Sequence, residues 1–124
     1  MQTLAVGIGA AIGGITRLWV TNIVVARAGV AWAPYATMFI NVSGSFLIGI
    51  VIELARTKTA LPPYFRLFLA TGILGGYTTF STFSVEALAF WTSGLLLNAL
   101  LYVGGSVVLG MLGAAAGILA ARAL

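Results

Sequence analysis

Gly75-Gly76-Tyr77-Thr78-Thr79-Phe80-Ser81-Thr82-Phe83-Ser84 lies inside a stretch of chain otherwise apolar enough to cross a bilayer. The run sets two glycines, five serine and threonine hydroxyls and two phenylalanines side by side. A lipid-facing helix has no use for so many polar groups, so the run implies that something polar passes there. Glycine is a poor helix former, and two of them beside a hydroxyl run weaken the helix locally. A weakened helix frees backbone carbonyls, which are tolerated at membrane depth only where protein or a water-filled path covers them. The run therefore predicts a spanning helix with an internal break.

Composition fixes the solvent around that helix. The chain has 124 residues, 61% of them hydrophobic and 6% charged, with a mean hydropathy of +1.14. Soluble domains carry roughly 25% charged residues. A surface with so few charges belongs in lipid, which makes this an all-α integral membrane protein of the cell membrane. Histidine and cysteine are both absent. Their absence removes thiol nucleophiles, imidazole bases and most metal-ligand sets, and argues against an enzyme. The formal net charge of +4 comes from six basic and two acidic residues scattered along the chain. Such scatter gives no basic track for phosphates, so no nucleic-acid partner is expected. Met1-Gln2-Thr3 is no basic n-region, and the apolar stretch to Val25 exceeds the ~7–15 residues of a secretory h-region. Ala26-Arg27-Ala28 is accordingly not read as a cleavage site.

A spanning helix needs about 20 mostly apolar residues. Four segments qualify: about Leu4 to Val25, Tyr35 to Leu54, Tyr64 to Trp91 and Leu95 to Ala121. The third is long enough to hold the break. Short connections join them, from Arg27 to Pro34, from Arg56 to Pro63 and through Thr92-Ser93-Gly94. Residues 1–124 thus read as one four-helix transmembrane domain. Gly9-x-x-x-Gly13, Gly72-x-x-x-Gly76 and Gly113-x-x-x-Gly117 have the spacing that lets helices approach closely. Four helices do not easily enclose a wet path alone, so a homo-oligomer is expected. Arg56, Lys58, Arg66 and Arg122 fall on the N-terminal side and Arg27 on the other. That bias favours a cytoplasmic N-terminus.

Polar residues at membrane depth are functional candidates by default. Arg17 follows Gly13-Gly14 deep in the first helix. It either snorkels or bonds neighbouring carbonyls, or it is a fixed charge that draws anions into a vestibule. Thr37, Asn41 and Ser45 recur every four residues and share one helix face. Asn98, Tyr102 and Ser106 repeat that spacing on the last helix. One stripe alone would be ordinary interhelical bonding, but two stripes and the hydroxyl run together read as a lined path. Glu86 is a proton site, a vestibule group or a residue facing headgroups, and a wet vestibule is favoured. Phe80 and Phe83 are neighbours on one helix face, a spacing that in most membrane proteins means packing. Here they interleave with Ser81 and Thr82. Ring edges carry positive charge and hydroxyls donate hydrogen bonds, so together they suit a small anion.

At these residues the chain resembles the Fluc (CrcB) family of fluoride channels. The resemblance rests on Gly13-Gly14-x-x-Arg17, on Asn41-x-x-Gly44-Ser45-Phe46-x-x-Gly49 and on the run from Gly75 to Ser84, and covers nearly the whole chain. It implies an antiparallel dual-topology homodimer with two pores that passes fluoride passively and lowers its cytoplasmic concentration. By motif position, it makes Phe80 and Phe83 the pore phenylalanines and Asn41 the amide donor, with Ser81 and Thr82 in the same motif. Tyr102 and Ser106 match a polar track on the last helix, from which this chain departs at Gly110. The family also holds a central sodium ion through backbone carbonyls, here those of Gly75 and Thr78. Oxygen ligation suits a hard cation.

Two other readings compete. A small proton-coupled multidrug exporter has similar size but depends on a glutamate in its first helix, where this chain has Arg17 and no carboxylate. A non-transporting assembly subunit would need no polar stripes.

Overall fold

The computed structural model describes residues 1–57 and 62–123, and among these every regular element is helical. Lys58, counted above with the N-terminal-side charges, lies outside the described residues. Helix α1 spans Gln2–Ala28 and ends at Gly29, whose φ of 95° is a left-handed value that glycine adopts freely. The Gly29 N–H closes the helix on the Val25 carbonyl at 2.9 Å. One 3-10 turn, Val30–Trp32, feeds directly into α2, Ala33–Thr57. Gly94, with φ 76°, makes the last turn into α6, Leu96–Arg122. These three helices are long and apolar enough to cross a membrane. At 1.5 Å per residue the 27-residue helices reach about 40 Å, beyond the ~30 Å hydrocarbon core. Their ends lie within one turn of the ranges read from hydropathy.

The segment from Pro63 to Thr92 is built in pieces. Helix α3, Pro63–Arg66, starts with Pro63 at a position where a missing N–H costs nothing. It runs on into a π-helical stretch, Leu67–Leu74, and then the single turn α4, Gly75–Tyr77. Thr78 (ψ 159°) and Thr79 (φ −151°, ψ 122°) are extended, and α5 begins afresh at Phe80 and ends at Thr92. The Thr79 hydroxyl caps α5 by accepting the Thr82 N–H at 3.3 Å. Hydropathy gave no sign of the π-helical stretch, because the change from i+4 to i+5 bonding leaves composition unchanged.

Close packing divides the helices into two parallel pairs. A Cβ on Gly9 would lie 2.6 Å from the Phe68 carbonyl oxygen, and one on Gly13 would strike the Ile73 carbonyl. Both partners advance together along the chain, so α1 runs parallel to the π-helical stretch and α4. Gly76 closes the same seam against the Ala10 carbonyl at 2.5 Å. On the other side a Cβ on Gly113 would lie 3.0 Å from the Val42 carbonyl oxygen and one on Gly117 would strike the Phe46 carbonyl, so α6 runs parallel to α2. In lipid, helices associate through such contacts rather than through expulsion of water.

The bundle is inverted relative to a soluble protein. Leu4, Ile8, Ile15, Trp19, Leu97, Leu101, Met111 and Leu112 face outward, while Thr37, Glu53, Thr79 and Ser106 are buried. Glu53, 4% exposed, receives Arg122 Nε at 2.9 Å and Arg56 Nη2 at 3.1 Å, tying the end of α6 to the end of α2.

Candidate functional site

The extended pair Thr78-Thr79 interrupts the helical hydrogen-bond ladder, and the groups it frees must be answered at membrane depth. Asn41, on α2, answers two of them. Its Oδ1 accepts the Thr79 N–H at 2.8 Å, and its Nδ2 donates to the Thr79 carbonyl at 3.0 Å. The Thr79 N–H, which in an unbroken α-helix would bond the Gly75 carbonyl, goes to Asn41 instead. Thr78 stays tied to the end of the π-helical stretch through its N–H and its hydroxyl, which both bond the Leu74 carbonyl, at 3.0 and 2.9 Å. Arg17 Nη1 reaches the Thr78 carbonyl at 3.5 Å, the long limit of a hydrogen bond. Of the alternatives open for Arg17 in the sequence, the structure thus has it both touching a carbonyl and lining a cavity.

Two cavities flank the break. The larger, about 370 Å³, is lined by Asn41, Ser45, Phe80, Phe83 and Ser106 together with Gly75 and Thr78. The smaller, about 290 Å³, is lined by Arg17, Thr37, Thr82 and Glu86. Thr79 lies on both walls. Seven of the sequence candidates therefore meet in one space and four in the next, while Ser81 and Tyr102 line neither. Ser81 is exposed, with its hydroxyl 3.4 Å from that of Thr79. Tyr102 is buried behind the larger cavity, its ring 5.3 Å from Phe83 and 5.6 Å from Phe90 between centroids.

Glu86 is held at both oxygens. Oε1 accepts the Thr37 hydroxyl at 3.0 Å, and Oε2 accepts the Tyr102 hydroxyl at 2.6 Å. This three-residue link joins α2, α5 and α6 across the smaller cavity. The sequence placed Thr37 in a polar stripe without giving it a partner, and gave Thr79 no role of its own. Thr37 carried a signal, since it heads the stripe through Asn41, whereas the capping role of Thr79 depends on where α5 begins.

The two phenylalanines differ sharply in setting. Phe83 is 8% exposed and Phe80 is 79% exposed, although their rings lie 5.7 Å apart. Ser106 Oγ is buried and has no hydrogen-bond partner among the described residues. No group of three or more His, Cys, Asp or Glu stands together among the described residues. The donors present for a cation are carbonyl oxygens, a set that fits a hard cation. Gly75 and Thr78 supply two, too few for a closed shell in one chain, and Arg17 already approaches one of them.

The chain matches the family described as CrcB-like protein, Camphor Resistance (CrcB), over residues 4–118. It is 46% identical over 121 residues to a Rhizobium meliloti (strain 1021) protein named fluoride-specific ion channel FluC, covering 98% of this chain and 96% of that one. A Methylobacterium sp. (strain 4-46) protein of the same name is 50% identical over 115 residues, 93% of this chain and 91% of the other. A third of that name, from Roseiflexus sp. (strain RS-1), is 43% identical over 124 residues, 100% and 99% of the two chains. Three apolar helices of spanning length and these relatives make this a multi-pass membrane protein. With the match running from the start of α1 nearly to the end of α6, the chain belongs to the CrcB family.

Proposed function

We propose that the protein is a passive fluoride channel that lets fluoride leave the cytoplasm. The observation that carries this reading is the single cavity where Asn41, Phe80, Phe83 and Ser106 meet from three helices. Fluoride holds its water tightly, so a path must offer donors at close range in place of that water. Asn41 has two N–H donors and spends one on Thr79, which leaves one for an anion. The unpartnered Ser106 hydroxyl is a second donor. The positive ring edges of Phe80 and Phe83 supply the walls, and Ser81 and Thr82 add hydroxyls at the start of α5. Arg17 in the smaller cavity supplies positive charge to a vestibule, and the hydrogen bonds from Thr37 and Tyr102 hold the Glu86 carboxylate aside. The names of the relatives support the choice of fluoride among anions.

In this reading the working unit is an antiparallel homodimer, inserted both ways, with the third span broken at Thr78-Thr79. The exposure of Phe80 and Gly75 supports it, since a second copy would cover both. A sodium ion held by the Gly75 and Thr78 carbonyls of both chains would anchor the breaks against each other. Each chain would contribute the Gly75 oxygen, whose usual helical partner, the Thr79 N–H, bonds Asn41 instead.

A proton-coupled exporter needs a carboxylate that exchanges protons with its substrate. Both carboxylates here are bonded, Glu86 to Thr37 and Tyr102 and Glu53 to two arginines, which favours the channel. Purified protein in liposomes should release fluoride, exclude chloride and need no proton gradient. Equal chloride flux, or strict coupling to protons, would falsify the channel reading.

A further inference from the structure

Hydroxyls on these helices mostly bond back to their own helix. Thr16 donates to the Ile12 carbonyl at 2.9 Å, Ser43 to Ile40 at 3.2 Å, Thr57 to Glu53 at 2.9 Å and Ser84 to Phe80 at 2.8 Å. Two hydroxyl residues on the larger cavity break that habit. Ser106, 9% exposed, has its Oγ buried without a partner. On α2 the side chains of Thr37, Asn41, Ser43, Glu53, Arg56 and Thr57 all make hydrogen bonds to described residues, and Ser45 makes none.

The glycines of α6 show what lies in front of the Ser45 hydroxyl. Gly113 and Gly117 are required by backbone, because a Cβ on either would press on an α2 carbonyl. Gly110 meets no backbone, and its φ is not left-handed. The one atom within 4 Å of a Cβ placed there is Ser45 Oγ, at 3.6 Å. The methyl of an alanine at 110 would already lie against that hydroxyl, and any longer side chain would fill the space in front of it. Gly110 also lies one turn beyond Ser106 on the same helix face, as Ser45 lies one turn beyond Asn41. With α2 and α6 parallel, the two turns lie side by side, and Ser45 and Ser106 both line the cavity.

We propose that Ser45 and Ser106 form a two-hydroxyl binding station for a small anion, next along the cavity from Asn41, and that Gly110 keeps its space clear. The ligand class is a small monovalent anion that accepts short hydrogen bonds, which on the channel reading above is fluoride; the station rests on that reading. Both hydroxyls donate, and neither has to break a protein hydrogen bond to do so.

The test is fluoride efflux from liposomes for the wild type, Ser45→Ala, Gly110→Ala and the double variant Ser45→Ala/Gly110→Ser, each checked for wild-type elution in detergent. Loss of a donor to a charged ligand should slow Ser45→Ala by about tenfold or more. The double variant should recover most of the flux, because a serine at 110 returns a hydroxyl to the emptied space. Gly110→Ala keeps Ser45 but sets a methyl against its hydroxyl, and should slow efflux severalfold, which keeps the test open if Ser45→Ala misfolds. Wild-type flux in Ser45→Ala or in Gly110→Ala overturns the station, as does a well-folded double variant no faster than Ser45→Ala. A wild type that passes no fluoride overturns the channel reading and the station with it, so the two failures are told apart by the wild-type arm.

Discussion

Asn41 grips the backbone of Thr79 at both its polar groups, accepting the N–H at 2.8 Å and donating to the carbonyl at 3.0 Å. One side-chain amide thus stands in for hydrogen bonds that the helix gives up where Thr78 and Thr79 turn extended. Buried amide groups without partners are costly, and in lipid no water is at hand to repair the loss. Replacing Asn41 by alanine should therefore cost about 1–3 kcal/mol for each group left unpaired. The expected readout is a lower unfolding temperature in detergent together with lost fluoride efflux. Asn41→Asp, which keeps the acceptor but not the donor, should lose flux too.

The phenylalanines should separate stability from transport. Phe83→Ala empties a buried site against Phe80 and Tyr102 and should destabilise by about 3–5 kcal/mol. Phe80 is 79% exposed in the single chain, so Phe80→Ala should leave the fold of the subunit intact. Phe80→Ile and Phe83→Ile should each stop fluoride efflux while the elution volume on size exclusion stays that of the wild type. Normal efflux in both would return the rings to ordinary packing.

Glycine substitutions along α1 should sort by what lies opposite. Gly13→Ala places a methyl on the Ile73 carbonyl, with backbone on both sides of the contact. It should abolish the monodisperse peak in detergent. Gly14→Ala, one residue on, meets nothing within 4 Å and should elute normally. Equal behaviour of the two variants would contradict the parallel seam between α1 and the π-helical stretch.

Glu53 should act as a tether. Glu53→Gln weakens the bonds from Arg56 and Arg122, so the last turns of α6 should exchange backbone amide hydrogens faster, while residues 96–106 keep their protection. Unchanged exchange near Arg122 would assign the order of that end to helix packing alone.

Insertion in both orientations should be visible directly. A single cysteine added at the N-terminus of this cysteine-free chain should be labelled in about half the molecules from each side of the membrane. Labelling from one side alone would side with the loop charges. Arg56 and Arg122, two of the N-terminal-side cations, share the carboxylate of Glu53, which the count from sequence left out.

Several features were determined by the sequence alone. Low charge and high hydropathy dictate lipid as the solvent, and the four-residue spacing places Asn41 with Ser45 and Tyr102 with Ser106 on common faces whatever the helices touch. The glycine and hydroxyl content of residues 75–84 likewise weakens a helix there by local propensity, without help from neighbours. Other features exist only in the folded chain. Asn41 meets Thr79, Glu86 meets Thr37 and Tyr102, and Arg122 meets Glu53 across separations of 16 to 69 residues. Each depends on the register between helices. That register is set by where Gly9, Gly13, Gly113 and Gly117 allow one backbone to rest on another, and no single-helix pattern encodes it. The setting of the Ser45 hydroxyl is of the same kind: a serine reads alike in any helix, and only the folded chain places this one in front of Gly110, where no side chain meets it.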